Sequence, residues 1–580
     1  GTRLSLLGGL AGAVTASLDG APVTLIRSDL DGLPVLATPT LAQGDHTLEL
    51  RGAPAPERFI VERARPWGWL WDYGPLVLIT ALALSTAASM RLLFPTLDAG
   101  RVQLRAAQRH AAGSARLVDR LIQPDSLILA GMLLGVAVAY RASAQLPLTL
   151  AGLALFGGLA LARPTLALLF VPLTLPLYFM PKGLFDARFG IRESGIYLPL
   201  HEILLLIALL AIVARWSGEV LSPRERLRQG GAPVWLGELA PPGLFLAAAG
   251  WGVIVAEARG AALRELRWTV LGPLLFVALA SFVAAHRAPG GPDSYWRQVL
   301  GFWLVGGALS GLVALLQFAG LNLVPLVGSK AGFGADSFLV EGVRRVAGLY
   351  GHPNNLGLAM GRYWPVAAAL AHVAFWSAPD RATGLRRAWP TALVAILCGG
   401  GLLVSFSRGA YLGALVAGAL LAALLLPRTL WRERRVRVAL GLLILAVLAS
   451  SAAIVALDIE RFNPLGASRS VRLKTWAAAL AMLRDHPLGI GLDQFGRLYP
   501  TYIAPELAGT SEIHTAHPHN LLLDIALRMG PPGLLAFGWL IVRCYRDAWA
   551  GRALSGTEAA LAVGLIAAMS GALVHGLVDQ

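Results

Sequence analysis

The stretch Pro505-Glu-Leu-Ala-Gly-Thr-Ser-Glu-Ile-His-Thr-Ala-His-Pro-His-Asn520, followed by an apolar run to Gly530-Pro-Pro-Gly533, decides how the chain is read. Three histidines, His514, His517 and His519, and Asn520 crowd the point where a long polar segment meets a hydrophobic helix of membrane-spanning length. Titratable groups at the lip of a bilayer are rare without a reason. Imidazole exchanges a proton near neutral pH, so a fixed histidine at a membrane surface is a candidate general base for activating a hydroxyl.

The composition around that stretch sets the class. Of 580 residues, 56% are hydrophobic and 14% charged, and the mean hydropathy is +0.63. That is too apolar for a soluble multidomain chain and implies a polytopic membrane protein. The net charge of +15 does not signal nucleic acid. Its arginines fall in short clusters between apolar runs, as the positive-inside rule places them on cytoplasmic loops. Cys398 and Cys544 imply neither a disulfide nor a metal framework. Gly1 in place of a methionine, and an end at Gln580 just after an apolar run, lead to the expectation that the sequence is a piece of a longer protein.

The expected fold is all-α and polytopic, with a small N-terminal extracytoplasmic β domain over residues 1–66. Its short, partly alternating segments Ala21-Pro-Val-Thr-Leu-Ile26, Pro34-Val-Leu-Ala-Thr38 and His46-Thr-Leu-Glu-Leu-Arg51 are separated by Asp-Gly and Gly-Asp turn signals. Trp67, Trp69, Trp71 and Tyr73 then read as an interfacial belt. At roughly 20 apolar residues per crossing, about fourteen transmembrane helices are expected. Their cores lie near 75–94, 125–140, 147–162, 164–181, 197–214, 241–257, 268–285, 298–318, 355–376, 389–406, 409–426, 437–456, 519–542 and 557–576. They divide into N-terminal helices over 67–297 and a core over 298–580 with a large external loop at 457–518.

Arginine clusters at 91–120, 224–228, 381–387 and 428–437 mark the cytoplasmic loops. The opposite face then collects four stretches. They are Arg344-Arg-Val-Ala-Gly-Leu-Tyr-Gly-His-Pro-Asn-Asn355, Ser405-Phe-Ser-Arg-Gly-Ala-Tyr411, Ser468-Arg-Ser-Val-Arg-Leu-Lys-Thr-Trp476 and the histidine cluster. In the first, Asn354 or Asn355 is suited to cap the following helix. In the third, Arg469, Arg472 and Trp476 recur at helical spacing. Guanidinium is always charged and forks toward phosphate oxygens, so converging arginines suit a diphosphate clamp. Arg408, Arg472 and Arg345 are the candidates. His519 is the candidate base, with His517, Asn520 and Trp476 in support. Asp485, Asp493, Glu506 and Glu512 are too dispersed for a carboxylate pair, so neither a metal nor a cofactor is expected.

These residues carry a resemblance. Gly348-Leu-Tyr-Gly-His-Pro-Asn-Asn355, Ser407-Arg408-Gly409, Arg472 with Trp476, Asp485-His-Pro-Leu-Gly-Ile-Gly-Leu-Asp-Gln-Phe495, His517-Pro-His-Asn-Leu521 with Gly530, and His575 with Asp579 follow one another in an order that resembles the O-antigen ligase and O-antigen polymerase superfamily. The resemblance covers roughly residues 300–580. It implies an inner-membrane glycosyltransferase moving a glycan from undecaprenyl diphosphate to a hydroxyl on a glycan, lipid or protein acceptor at the periplasmic or external face. By position it implies His519 as the catalytic histidine, Arg408 at a helix end and Arg472 in the external loop. Ligase and polymerase remain open, since they differ only in acceptor. A lipid-linked oligosaccharide flippase is the alternative from another class, and it requires charges among broken helices.

Overall fold

In the computed structural model, residues 125–141, 146–177, 197–220, 235–288, 290–321, 343–427 and 467–578 are described. A few strands and single residues elsewhere complete the description, including seven short strands between 3 and 62. Four of those strands form one antiparallel sheet and three form another. The expected spans at 75–94 and 437–456, the aromatic belt at 67–73 and the arginine clusters at 91–120 and 224–228 lie outside the described residues.

The rest is helical. Six helices among the described residues are long and apolar enough to cross a membrane: Arg259–His286, Gly291–Phe318, Arg381–Val404, Arg408–Leu425, Leu521–Gly551 and Gly556–Val578. Shorter apolar helices run over Asp125–Tyr140, Pro147–Ala162, Pro164–Leu177 and Ala240–Val255. Large apolar side chains point outward along them, with Leu127 64%, Ile396 68% and Leu535 72% exposed. Such surfaces are hazards in water and the normal exterior in lipid. The chain is a multi-pass membrane protein.

Several helices are broken where the sequence forbids hydrogen bonds. Pro164 opens the 164–177 segment, and Pro172 and Pro176 divide it into separate turns. A π-turn at Arg267–Leu271 interrupts Arg259–His286. The run expected as one span at 519–542 starts at Leu521 and is split at Gly530, with φ +66 and ψ −165. Pro531 and Pro532 have no N–H for the carbonyls of Leu527 and Arg528, four residues back, so the helix cannot continue through them.

A core around Phe156, Phe170 and Phe302 holds the N-terminal helices together. A second, around Tyr350, Met360, Tyr363 and Leu402, holds Pro353–Trp376 against its neighbours. The last helix, Gly556–Val578, packs against Arg408–Leu425 at a crossing of two small residues. A Cβ on Gly413 would stand 2.5 Å from the Gly571 carbonyl oxygen, and one on Gly571 would stand 2.7 Å from that of Gly413. Leu421 packs with Val563 and Ala567 further along, so the two helices are antiparallel. Arg408 therefore lies toward residue 576 of the last helix.

Candidate active site

Of the stretches singled out in the sequence, Ser468–Trp476 is helical and the others are built around turns. Among the described residues three non-glycine residues have positive φ: Phe406 (+47), Asp493 (+54) and His519 (+53). All three fall within the quoted motifs. Left-handed backbone at bulky residues persists only where the surroundings enforce it, and it gathers at functional sites.

His519 occupies the turn before Leu521–Gly551. Asn520 caps that helix, its side-chain oxygen accepting from the N–H groups of Leu522 and Leu523, each at 3.1 Å. Its amide nitrogen donates to the Leu577 carbonyl at 2.9 Å. Asn520 is thus a cap and a tie to the last helix. The His517 and His519 rings meet edge-to-face with centroids 4.4 Å apart, and both residues are half-buried. His514 closes a 3-10 turn, Ser511–His514; its side chain lies outside those described.

Arg408 is the first residue of its helix and is half-buried. Ser407 caps the helix by accepting from Ala410 N–H at 3.4 Å. Ser405 Oγ donates to the Leu402 carbonyl at 2.6 Å and accepts from Ser407 N–H at 3.2 Å, which fixes the break between Arg381–Val404 and Arg408–Leu425. Gly357 lets the neighbouring helix close on this turn: a Cβ there would lie 2.6 Å from that of Ala410 and 3.0 Å from Ser405 Oγ. Arg345 is buried behind the turn. Its Nε donates to the Ser405 carbonyl at 3.1 Å and its Nη2 to Asn354 Oδ1 at 2.7 Å. The cap of Pro353–Trp376 is not an asparagine, as the sequence suggested. It is His352, whose Nδ1 accepts from Asn354 N–H at 3.2 Å; the Asn354 side chain is engaged by Arg345 instead.

Arg472 and Trp476 stand one turn apart on the helix Ala467–Asp485, both half-buried. Of Arg469 only the backbone is described. That helix packs through Ala478, Ala479 and Met482 onto Leu523 and Leu527, the first turns of the His519 helix. Thr475 is buried with its hydroxyl 3.2 Å from that of Tyr499.

The motif 485–495 acts as a clasp. Ile490 N–H and Gly491 N–H donate to the Leu527 carbonyl at 2.6 and 3.3 Å, replacing the bond Pro531 cannot give. Leu492 N–H donates to the Gly252 carbonyl at 3.2 Å and Trp251 Nε1 to that of Leu488 at 3.0 Å. Gln494, 1% exposed, bridges to both backbone groups of Ala258. Gly530 and Gly489 are required here: a Cβ on Gly530 would lie 2.5 Å from the Leu488 oxygen, and one on Gly489 2.8 Å from Gly530 N.

Sequence reasoning missed a charged cluster beneath the clasp. Arg528 pairs with Glu265 and, at 2.7 Å, with the nearly inaccessible Asp524. Arg267 pairs with buried Glu202 at 3.3 Å. Beyond the four stretches expected at one face, ion pairs also sit inside the helical bundle, next to the breaks at 267–271 and 530. Asp524 and Arg528 at i,i+4 within an apolar helix were the available signal.

The last helix connects two parts of the site. Gly413, five residues after Arg408, touches Gly571, and Gly576 packs against Leu521 with a hypothetical Cβ at 3.2 Å. Five residues of helix advance about 7.5 Å, so Arg408 and the His519 turn stand at the same end of Gly556–Val578. The exposed Arg381, Arg386 and Arg387 begin the helix that ends before Ser405, about 36 Å away along its 24 residues. The Arg408 turn and the basic cluster therefore lie at opposite ends of a membrane-length helix.

The arrangement is that of a multi-pass membrane protein whose histidine turn and arginine turn both lie toward the C-terminal end of the last helix. Residues 393–538 match the family model described as O-antigen ligase, which places this segment with the O-antigen ligase type of membrane glycosyltransferase. The match spans Arg408, Arg472, Trp476, His517, His519, Asn520 and the clasp. No curated protein matches the chain.

Proposed function

We propose that the protein transfers a glycan from undecaprenyl diphosphate to an acceptor hydroxyl at the periplasmic or external face of the inner membrane. The observation that supports this most is that the Arg408 helix start and the His519 turn lie toward the same end of the last helix, away from the basic Arg381–Arg387 cluster. The lipid-linked donor enters between helices, with its diphosphate against Arg408 and Arg472. Guanidinium charge there stabilises the leaving diphosphate as the glycosidic bond breaks. His519 takes the proton of the attacking hydroxyl, and inversion at the anomeric carbon follows. His517, in ring contact with His519, holds it in place, and Trp476 lines the acceptor side. Arg345, expected in the same clamp, already donates to Ser405 and Asn354.

His519→Ala in membranes supplied with lipid-linked glycan is expected to lower transfer by about 10²- to 10⁴-fold, with His517→Ala as the milder control. Near-normal transfer by His519→Ala refutes the assignment. Product size separates the acceptors: one discrete species for ligation, a ladder for polymerisation. The ion pairs beside two broken helices favour a second reading, a transporter of the lipid-linked glycan. It requires translocation with the bond between sugar and diphosphate intact, and release of undecaprenyl diphosphate in the same assay excludes it.

A further inference from the structure

We infer that Arg345 is a positioning residue for Arg408 and not itself a ligand of the diphosphate; the inference rests on the proposed function above. Arg345 is 7% exposed. Its fork spans two acceptors on different segments: the carbonyl of Ser405, and Asn354 Oδ1 in the first turn of Pro353–Trp376. Ser405 is the hinge of the whole turn. Its hydroxyl ties Leu402 to Ser407, its carbonyl is drawn toward Arg345, and the next residue, Phe406, is held at φ +47. Ser407 then caps the helix whose first residue is Arg408. Arg345 thus braces a left-handed turn that sets where the Arg408 guanidinium starts.

The bracing depends on the fork. Five N–H groups in a fixed plane let guanidinium reach two acceptors in different directions, which an ammonium on a flexible stem does not reproduce. Asn354 is the other half of the device. The residue preceding it is a proline and the residue before that is the cap, so its side chain is free of capping work and is given to Arg345.

The test is a double-mutant cycle on the full chain in native membranes, reading kcat and KM for an undecaprenyl-diphosphate-linked oligosaccharide. The set comprises R345K, N354A, R408Q and the pairs R345K/R408Q and N354A/R408Q. Thermal unfolding of each is measured in parallel, and N354A serves as the gentler variant if R345K fails to fold. R345K and N354A are each expected to lower kcat/KM by about ten- to a hundredfold. Each pair is expected to be no more than about threefold worse than R408Q alone, because the brace acts only through Arg408. Losses that multiply, or N354A at wild-type rate beside a deficient R408Q, overturn the inference and return Arg345 to direct contact with the donor. R408Q with undiminished transfer overturns the clamp of the proposed function itself, and the inference with it.

Discussion

Replacing Gly413 by alanine disturbs the site without touching any side chain in it. The new Cβ would stand 2.5 Å from the Gly571 oxygen, whereas ordinary contact begins at 3.4 Å. The Arg408 helix and the last helix must therefore separate or slide by about 0.9 Å, the difference of those two distances. The Gly571 oxygen is main chain and the position of a Cβ is fixed by its backbone, so no rotamer change absorbs the shift. Overpacking of this kind costs about 1–3 kcal/mol, which a large membrane bundle survives. A displacement near 1 Å between catalytic groups, by contrast, costs about a hundredfold in rate. Asn520 ties the His519 turn to Leu577 of the last helix, so the shift moves Arg408 relative to His519. G413A is expected to fold and to lose about ten- to a hundredfold in transfer from the lipid-linked donor, measured in membranes. Gly399→Ala is the control, since a Cβ there meets nothing within 4 Å. Wild-type transfer by G413A would refute the claim that this crossing sets the site.

Gly530→Ala is expected to cost about 1–3 kcal/mol from its backbone conformation alone, with more from the Leu488 contact, and to lower both the unfolding temperature and transfer. Glu265→Gln leaves Arg528 short of a full partner in a buried setting and is expected to destabilise by up to about 3–5 kcal/mol, read by thermal unfolding; an unchanged midpoint would show the cluster to be dispensable. Asp380 accepts from Thr383 N–H and hydroxyl at 2.9 and 2.7 Å, and these bonds hold its carboxyl below the usual 3.8. Its folded-state pKa is depressed, so its contribution is present above pH 3.8 and is lost as pH falls through the folded value. The unfolding temperatures of wild type and Asp380→Ala should therefore differ at neutral pH and converge in acid.

Much of the bundle was legible because a membrane demands long apolar runs, and most of each expected core within the described residues is helical, although 197–214 opens on the short strand Tyr197–Leu198 and 519–542 begins in the turn before Leu521. The Ser405–Arg408 break and the amphipathic segment from 468 were legible for the same reason, polar residues interrupting or striping an apolar pattern. Asn520 was legible only as a residue supporting His519; that it caps the helix Leu521–Gly551 depends on its side-chain oxygen reaching the N–H groups of Leu522 and Leu523. The substitution of His352 for an asparagine cap was not, since it depends on Arg345 reaching Asn354 from another segment. Nor was the clasp: Gly489, Gly491 and Gln494 matter through carbonyls of Leu527, Gly252 and Ala258, and sequence spacing carries no sign of such partners. The ion pair between Glu265 and Arg528 joins residues far apart along the chain, where periodicity is silent.

The clasp at 486–494 and the cap at Asn520 together fasten both feet of an arch that runs from Phe495 through Tyr502 to Pro518. Phe495 and Tyr499 are packed into the core beside Ala478 and Met482, so the near limb of the arch is fixed, and it is the more exposed stretch over 505–516 that can vary without dislodging the histidine turn at its far foot. A protein built this way can remodel the span between two fixed piers while its helical framework stays as it is.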